Sequence, residues 1–253
     1  CDLNLETMTS DNPRKIDGDK FPAPKEWDFV GAEDLRLTQW DGKIYGSGVR
    51  RFSPDGRGRM QVSSLNITQS KATEEERFFI EAPLHVDSYC EKNWMPLTDS
   101  PFSYLKWCSP VEVVKADVSR TIPPTQEYPV IDPRDGTVKP VSNLCPSRSY
   151  ISKPNELPEG LEPRGGSQVI PYKDYYIVVI HEVDGWHNEK GDRDAFYYHR
   201  FIVWDKEWNL VNYSDRFTFI HGRIEFCCGM ASYKDSLLIT FGFQDNSAYL
   251  FKT

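Results

Sequence analysis

Long apolar runs are missing from this chain of 253 residues. No stretch approaches the roughly 18 to 20 apolar residues of a membrane span, and no secretory leader pattern opens the sequence. A chain that begins on Cys1 instead of methionine is expected to be cut or processed. Cysteine is sparse, with six residues (Cys1, Cys90, Cys108, Cys145, Cys227, Cys228) and no paired CxxC spacing. That excludes the common zinc framework and predicts no bound metal. The cysteines read as small apolar core residues in a reducing, cytoplasmic setting, with disulfides as the alternative. Basic residues are in deficit, 30 against 38 acidic ones, for a net charge of -8. This balance argues against broad binding to nucleic acid or to anionic membranes, so the arginines must act locally. Also missing are a phosphate-binding glycine loop, a dinucleotide fingerprint, a metalloprotease helix and a nucleophile elbow, which removes most common enzyme classes and leaves no expected organic cofactor.

What is present is aromatic and charged: 13% and 27% of residues respectively, the composition of a folded globular protein. No segment shows a convincing helical period. Short runs rich in β-branched and aromatic residues recur instead, at about 35–40, 44–51, 59–66, 77–82, 104–107 and 111–115. The C-terminal third continues the series at about 167–171, 175–182, 196–204, 216–220, 224–230, 236–242 and 247–251. Turn signals separate these runs, the rhythm of a sandwich, barrel or propeller. Residues 71–76 read as a solvated loop and 1–29 as a polar lead-in; 30–253 reads as one domain, with a proline-rich insertion at about 119–164 lying across one face.

The stretch from Ala32 to Arg51 stands out. Asp41-Gly42 between two alternating runs is a strong hairpin signal, and the hairpin brings Glu33, Asp34 and Arg36 to the same end as Arg50 and Arg51. Carboxylates beside guanidiniums, with Trp40 and Tyr45 nearby, suit a polyhydroxylated or anionic ligand, while a plain surface hairpin with charged ends is the alternative. Arg164-Gly165-Gly166-Ser167-Gln168 opens a strand with two glycines that allow close backbone approach. His181-Glu182 ends the most apolar run, and Tyr197-Tyr198-His199-Arg200 carries a similar mixture. Glu225 stands in an otherwise apolar segment, where a carboxylate is costly unless paired. Asp245 stands between two strands and suits a turn as well as a site. Acids, arginines, a lysine and aromatics on the loops of an all-β scaffold suit a sugar.

The order of these motifs resembles the five-bladed β-propellers of glycoside hydrolase family 130, the mannoside phosphorylases and related mannosidases. Glu33-Asp34-Leu35-Arg36 is similar to the family's acid-aspartate-x-arginine motif, which implies that Asp34 is the proton donor to the glycosidic oxygen. Arg50 or Arg51 resembles the arginine that closes the next strand, and Lys92-Asn93-Trp94-Met95-Pro96 resembles a lysine-aspartate segment leading to a proline. In the phosphorylases those basic residues hold the attacking phosphate. Gly165-Gly166-Ser167, Ile180-His181-Glu182 and Gly242-Phe243-Gln244-Asp245 resemble later motifs, the last with an aspartate that holds sugar hydroxyls. The match runs from about residue 30 to the last residue. Asn93 stands where the family has aspartate, Glu182 where it has glycine, and the blade preceding the first motif is absent or truncated.

The expectation is therefore an all-β, five-bladed propeller that cleaves or transfers a glycosyl unit, mannosyl by resemblance, through single displacement. Asp34 is the general acid, with Glu225 and Asp245 as the other candidate catalytic carboxylates. Glu33, Arg36, Arg50, Arg51, Lys92 and Asn93 are expected to bind substrate from the first half, and Arg164, Gln168, His181, Glu182, Tyr198 and Arg200 from the second. Inorganic phosphate is the one co-substrate implied, an oligosaccharide or other glycan the partner. A direct inverting hydrolase would need Asp34 at roughly 6.5 to 9.5 Å from Glu225 or Asp245. A non-catalytic glycan-binding propeller, a glycosyltransferase-associated domain and a protein-interaction platform are the alternatives.

Overall fold

Alternating side chains give strands, and no helix forms among the described residues. The computed structural model describes residues 1–18, 31–51, 57–83, 90–120, 130–131, 138–139, 144–154, 156–187, 189–191 and 193–253. In chain order the strands are β1 (Asp2–Asn4), β2 (Thr9–Asp11), β3 (Ile16–Asp17), β4 (Glu33–Trp40), β5 (Lys43–Arg51), β6 (Gly58–Ile67) and β7 (Ala72–Ile80). Next come β8 (Met95–Pro96), β9 (Ser103–Cys108), β10 (Val111–Ala116), β11 (Val130–Ile131), β12 (Val138–Lys139), β13 (Leu144–Cys145) and β14 (Ser147–Lys153). The last are β15 (Ile170–Tyr172), β16 (Tyr175–His187), β17 (Arg193–Asp205), β18 (Leu210–Tyr213), β19 (Glu225–Tyr233), β20 (Ser236–Phe243) and β21 (Ser247–Lys252).

The chain divides into two compact units, one of Cys1–Lys92 with Lys115–Arg148, the other of Asn93–Val114 with Ser149–Thr253. In the first, β13-β7-β6-β5-β4 form a sheet to which β3 adds in parallel on β7. The β4–β5 turn is the expected one: Asp41 and Gly42 both take positive φ, 49° and 78°, as a two-residue hairpin requires. Met60, Val62 and Ile80 are fully buried on one face of this sheet.

The second unit holds three antiparallel sheets, β14-β10-β9-β8, β15-β16-β17-β18 and β19-β20-β21. Val178 and Ile180 enter a core with Met95, Leu105, Val113, Ile202 and Trp204. Val179, between them, enters another with Cys227, Met230, Ile239 and Phe241. Successive residues of a strand point to opposite faces, so β16 is buried on both, which is why its sequence is a continuous apolar run. Among the described residues, four sheets have three or more strands, and the fold is all-β and propeller-like in the size and succession of its sheets.

Four expectations change. Residues 72–76 belong to β7 and are no solvated loop, because Glu74 is held inside the sheet by Arg77. Residues 216–220 form no strand, only a bridge from Phe217 to His199, and β18 takes the place beside β17. Within 119–164, residues 147–153 form a sheet strand next to β10 where none was expected; 121–129, 132–137, 140–143 and 155 lie outside the described residues. In the lead-in, 1–18 contain three short strands, and 19–30 lie outside the described residues. Of the six free cysteines, Cys108, Cys145 and Cys227 are buried as expected, but Cys1 and Cys90 are exposed. No helix of the described residues is long and apolar enough to cross a membrane.

The Glu74–Arg77 pair tests how the first sheet is held. Its side chains are 6% and 8% exposed, and removing one partner of a buried pair strands the other charge. Glu74→Gln is expected to lower unfolding free energy by about 3 kcal/mol, read from the urea midpoint, whereas an exposed change such as Glu75→Gln stays within about 0.5 kcal/mol.

Candidate functional site

The first unit gathers its polar groups by strand register. Arg50 lies opposite Arg59, Gly48 opposite Gln61 and Gly46 opposite Ser63, while Ser63 lies opposite Arg77 on β7. Side chains alternate along strands, so Arg50, Arg59, Gln61, Ser63 and Arg77 share one face. The Glu74 carboxylate accepts from Ser63 Oγ at 2.6 Å, Gln61 Nε2 at 3.1 Å, Arg77 Nε at 2.7 Å and Arg77 Nη2 at 2.5 Å. Burial opposes its charge, and the bonds from Arg77 and Ser63 overcome that, holding it below the ordinary carboxylate value. Arg59 pairs with Glu81.

Arg50 is left over. Its Nε is buried without an acceptor among the described residues. Burial first, and the Arg77 charge second, lower its pKa from the ordinary value, against the opposing pull of the Glu74 carboxylate. A desolvated guanidinium beside another cation favours an anion.

At the same end of the hairpin, the register of β4 slips between Glu33 opposite Val49 and Arg36 opposite Ser47. Asp34 sits in this bulge at φ 54°. A left-handed residue other than glycine costs about 1–2 kcal/mol, least for Asp and Asn. Glu33 and Asp34 are exposed; Arg36, expected to hold substrate, is fully buried and donates from Nη1 to the Asp34 carbonyl at 2.8 Å. Arg51 and Lys92 are exposed.

In the second unit, most expected ligand-binding groups already have protein partners. Gln168 Oε1 accepts from the Met230 amide at 2.7 Å. His181 is 3% exposed, with Nδ1 3.1 Å from the Gly165 carbonyl and its ring stacked on Tyr197. Glu182, 2% exposed, accepts from Arg200 Nε at 2.7 Å and from Arg216 Nε at 2.9 Å. Burial opposes its charge, and Arg216 and Arg200 outweigh that, holding the carboxyl below its ordinary value. Arg216 also pairs with Asp184 at 2.9 Å and lies over the Tyr198 ring. The Glu225 carboxylate is fully buried and accepts from the amides of Phe219 (2.5 Å), Ile220 (3.1 Å) and Gly222 (2.6 Å), a loop-holding arrangement. Asp245 is exposed in the β20–β21 turn, at φ 54°. Arg164 is exposed and joins His181 through the backbone. Asn93 takes φ 63° and keeps a buried Oδ1 without a donor among the described residues. A Cβ on Gly165 would fall 1.7 Å from the Asn93 carbonyl, which explains the first glycine of that pair.

Reading the sequence missed Arg59, Gln61, Ser63, Glu74, Arg77 and Arg216. The first three alternate with apolar Met60 and Val62, the pattern of a solvated face. Nothing local marks them as mutually paired and buried.

No family model matches the sequence, and no curated protein matches it. The fold is similar to that of a glycoside hydrolase candidate from Bacteroides ovatus ATCC 8483, at TM-score 0.50 and 12% identity over 89% of this chain and 70% of that one. Other similar structures are a GDP-Man-dependent mannosyltransferase from Leishmania mexicana (TM-score 0.45, 13% identity, 87% and 67% of the two chains) and a mannose phosphorylase from the same organism in complex with phosphate ion (0.38, 11%, 92% and 85%). At such identities the first likeness speaks for the fold alone.

His199 gives this unit a measurable acid sensitivity. It is fully buried, its Nε2 accepts from the Cys227 amide at 3.2 Å, and its Nδ1 has no partner among the described residues. Burial pushes its pKa from 6.5 down to about 4. Between those values the unfolded chain binds the proton and the folded chain does not, so stability falls as pH drops through that window. The expected loss is about 3 kcal/mol from pH 7 to pH 4, read from urea midpoints, and His199→Phe flattens that part of the profile. The Glu182 contribution is lost in the same direction, but only as pH falls below the ordinary carboxylate value of 4.5.

Proposed function

We propose that this chain acts on carbohydrate, cleaving or transferring a glycosyl unit by single displacement with Asp34 as general acid. The observation that carries the reading is the hairpin end itself: an exposed aspartate held left-handed in a strand bulge, on the strand paired with the one that carries Arg50, whose buried Nε has no acceptor among the described residues. The fold likeness to the glycoside hydrolase candidate is consistent with it. The motif resemblance to family 130 extends the proposal to five blades, to a mannosyl unit and to inorganic phosphate as co-substrate.

Phosphorolysis fits better than a direct hydrolysis with Glu225 as the base. An inverting hydrolase needs a second carboxylate to activate water, and Glu225 spends its oxygens on three backbone amides. A phosphate nucleophile needs no such base, only cations to hold it, and Arg50 has a buried Nε with no acceptor among the described residues. Arg51 and Lys92 supply further positive charge in the same unit. Asp34 then protonates the departing glycosidic oxygen while a phosphate oxygen attacks the anomeric carbon.

Manno-oligosaccharides and aryl mannosides incubated with and without inorganic phosphate test this, with released sugar and sugar phosphate as readouts. Turnover is expected to depend on phosphate and to fall by at least 100-fold in Asp34→Asn, with glycan binding retained. Arg50→Met is expected to raise the phosphate KM at least tenfold. Full activity in Asp34→Asn, or sugar release indifferent to phosphate, overturns the respective half of the reading.

A further inference from the structure

Arg36 has the residue type of a ligand-binding group but the burial of a core residue, and its place relative to Asp34 assigns it another task. From Glu33/Val49 to Arg36/Ser47 the β4 strand advances three residues while β5 advances two, so β4 carries one extra residue there. The bulge needs room on the neighbouring strand, and Gly48 provides it. A Cβ on Gly48 would stand 2.4 Å from the Glu33 carbonyl oxygen and 3.4 Å from Leu35 Cα, both backbone atoms that cannot rotate away. Leu35 folds over Gly46, where a Cβ would come within 2.8 Å of its Cδ2. Beneath Asp34, the buried Arg36 guanidinium donates to the Asp34 carbonyl at 2.8 Å. The peptide carrying Asp34 is thus seated on a glycine and held by a guanidinium, while its carboxylate faces solvent.

We propose that Arg36 and Gly48 are positioning residues for Asp34, fixing the left-handed bulge from which its carboxylate is presented. This rests on the reading of Asp34 as the general acid. A catalytic group must be held close to its productive geometry, and here a residue that never meets the substrate does so through the backbone. The arrangement also accounts for Gly-x-Gly at residues 46–48 of a strand otherwise suited to larger side chains.

The test uses the full chain with Asp34 observed directly. The carboxyl 13C resonance of Asp34, assigned by its loss in Asp34→Asn, is followed through a pH titration in wild type, Gly48→Ala, Arg36→Met and Arg36→Lys. Displaced Asp34 resonances are expected in Gly48→Ala and Arg36→Met, with a smaller displacement in Arg36→Lys, which keeps a cationic N–H donor. Kinetically, kcat is expected to fall at least tenfold in the first two with KM within twofold, and Arg36→Lys to recover part of kcat. Folded variants with Asp34 signals and kcat unchanged overturn the proposal. If Gly48→Ala or Arg36→Met does not fold, Arg36→Lys decides by the same two readouts. Full turnover in Asp34→Asn refutes the general-acid role alone, because the resonance displacement still reports whether Arg36 and Gly48 hold the bulge.

Discussion

Pairing of buried carboxylates with guanidiniums is the constraint on which both units depend. A carboxylate moved out of water without a partner costs several kcal/mol, more than a single side chain recovers by packing. Glu74 meets that condition through Arg77, Ser63 and Gln61 in the first unit, and Glu182 through Arg200 and Arg216 in the second. Glu74 bonds across to Ser63 and Gln61 on β6, and Glu182 to Arg200 on β17, so these contacts fix register as well as charge. A slip of one residue would turn every member to the opposite face. Strands that look half polar in sequence can therefore be buried, and the sheets need no continuous apolar face.

The same constraint explains what could be read before the structure. An apolar run such as Tyr175–Ile180 is visible as a strand because burial of Val178, Val179 and Ile180 on both faces leaves little choice of residue. The Asp41-Gly42 turn is visible because few dipeptides adopt two positive φ angles. Residues 72–76 were not, since Thr-Glu-Glu-Glu has the composition of a solvated loop, and only Arg77 and Ser63 make Glu74 a sheet residue. Residues 216–220 failed for the converse reason. Arg-Phe-Thr-Phe-Ile alternates like a strand, yet its phenyl rings stack among Phe201, His199 and Phe241 while the backbone makes only one bridge.

Candidate site residues divide along the same line. Asp34, Glu33 and Arg51 are exposed at the hairpin end as the sequence implies, because two strands joined by a two-residue turn must bring those positions together. Gln168, His181, Glu182 and Glu225 have the right residue types but protein partners of their own. Residue type and local context cannot separate a polar group waiting for a ligand from one satisfied by a distant amide. The Glu225 segment is the clearest instance: the apolar surroundings that suggest a perturbed catalytic acid are equally the surroundings in which a carboxylate ties down a loop through Phe219, Ile220 and Gly222.

That ambiguity resolves by asking which acids have lone pairs to spare and a geometry that nothing else explains. Exposed acids are plentiful, and most need no account beyond solubility. Asp245 is exposed and left-handed, but it sits in a hairpin turn, where that conformation is ordinary for aspartate. Asp34 is left-handed inside a strand, where the conformation interrupts pairing and makes a neighbouring side chain intolerable at Gly48. A strand without the bulge would keep its ladder and could accept a Cβ there. A fully buried arginine against the Asp34 carbonyl holds the backbone at that irregularity. It is this backbone irregularity, and not exposure or charge, that sets Asp34 apart from the other exposed acids and on which its proposed role rests.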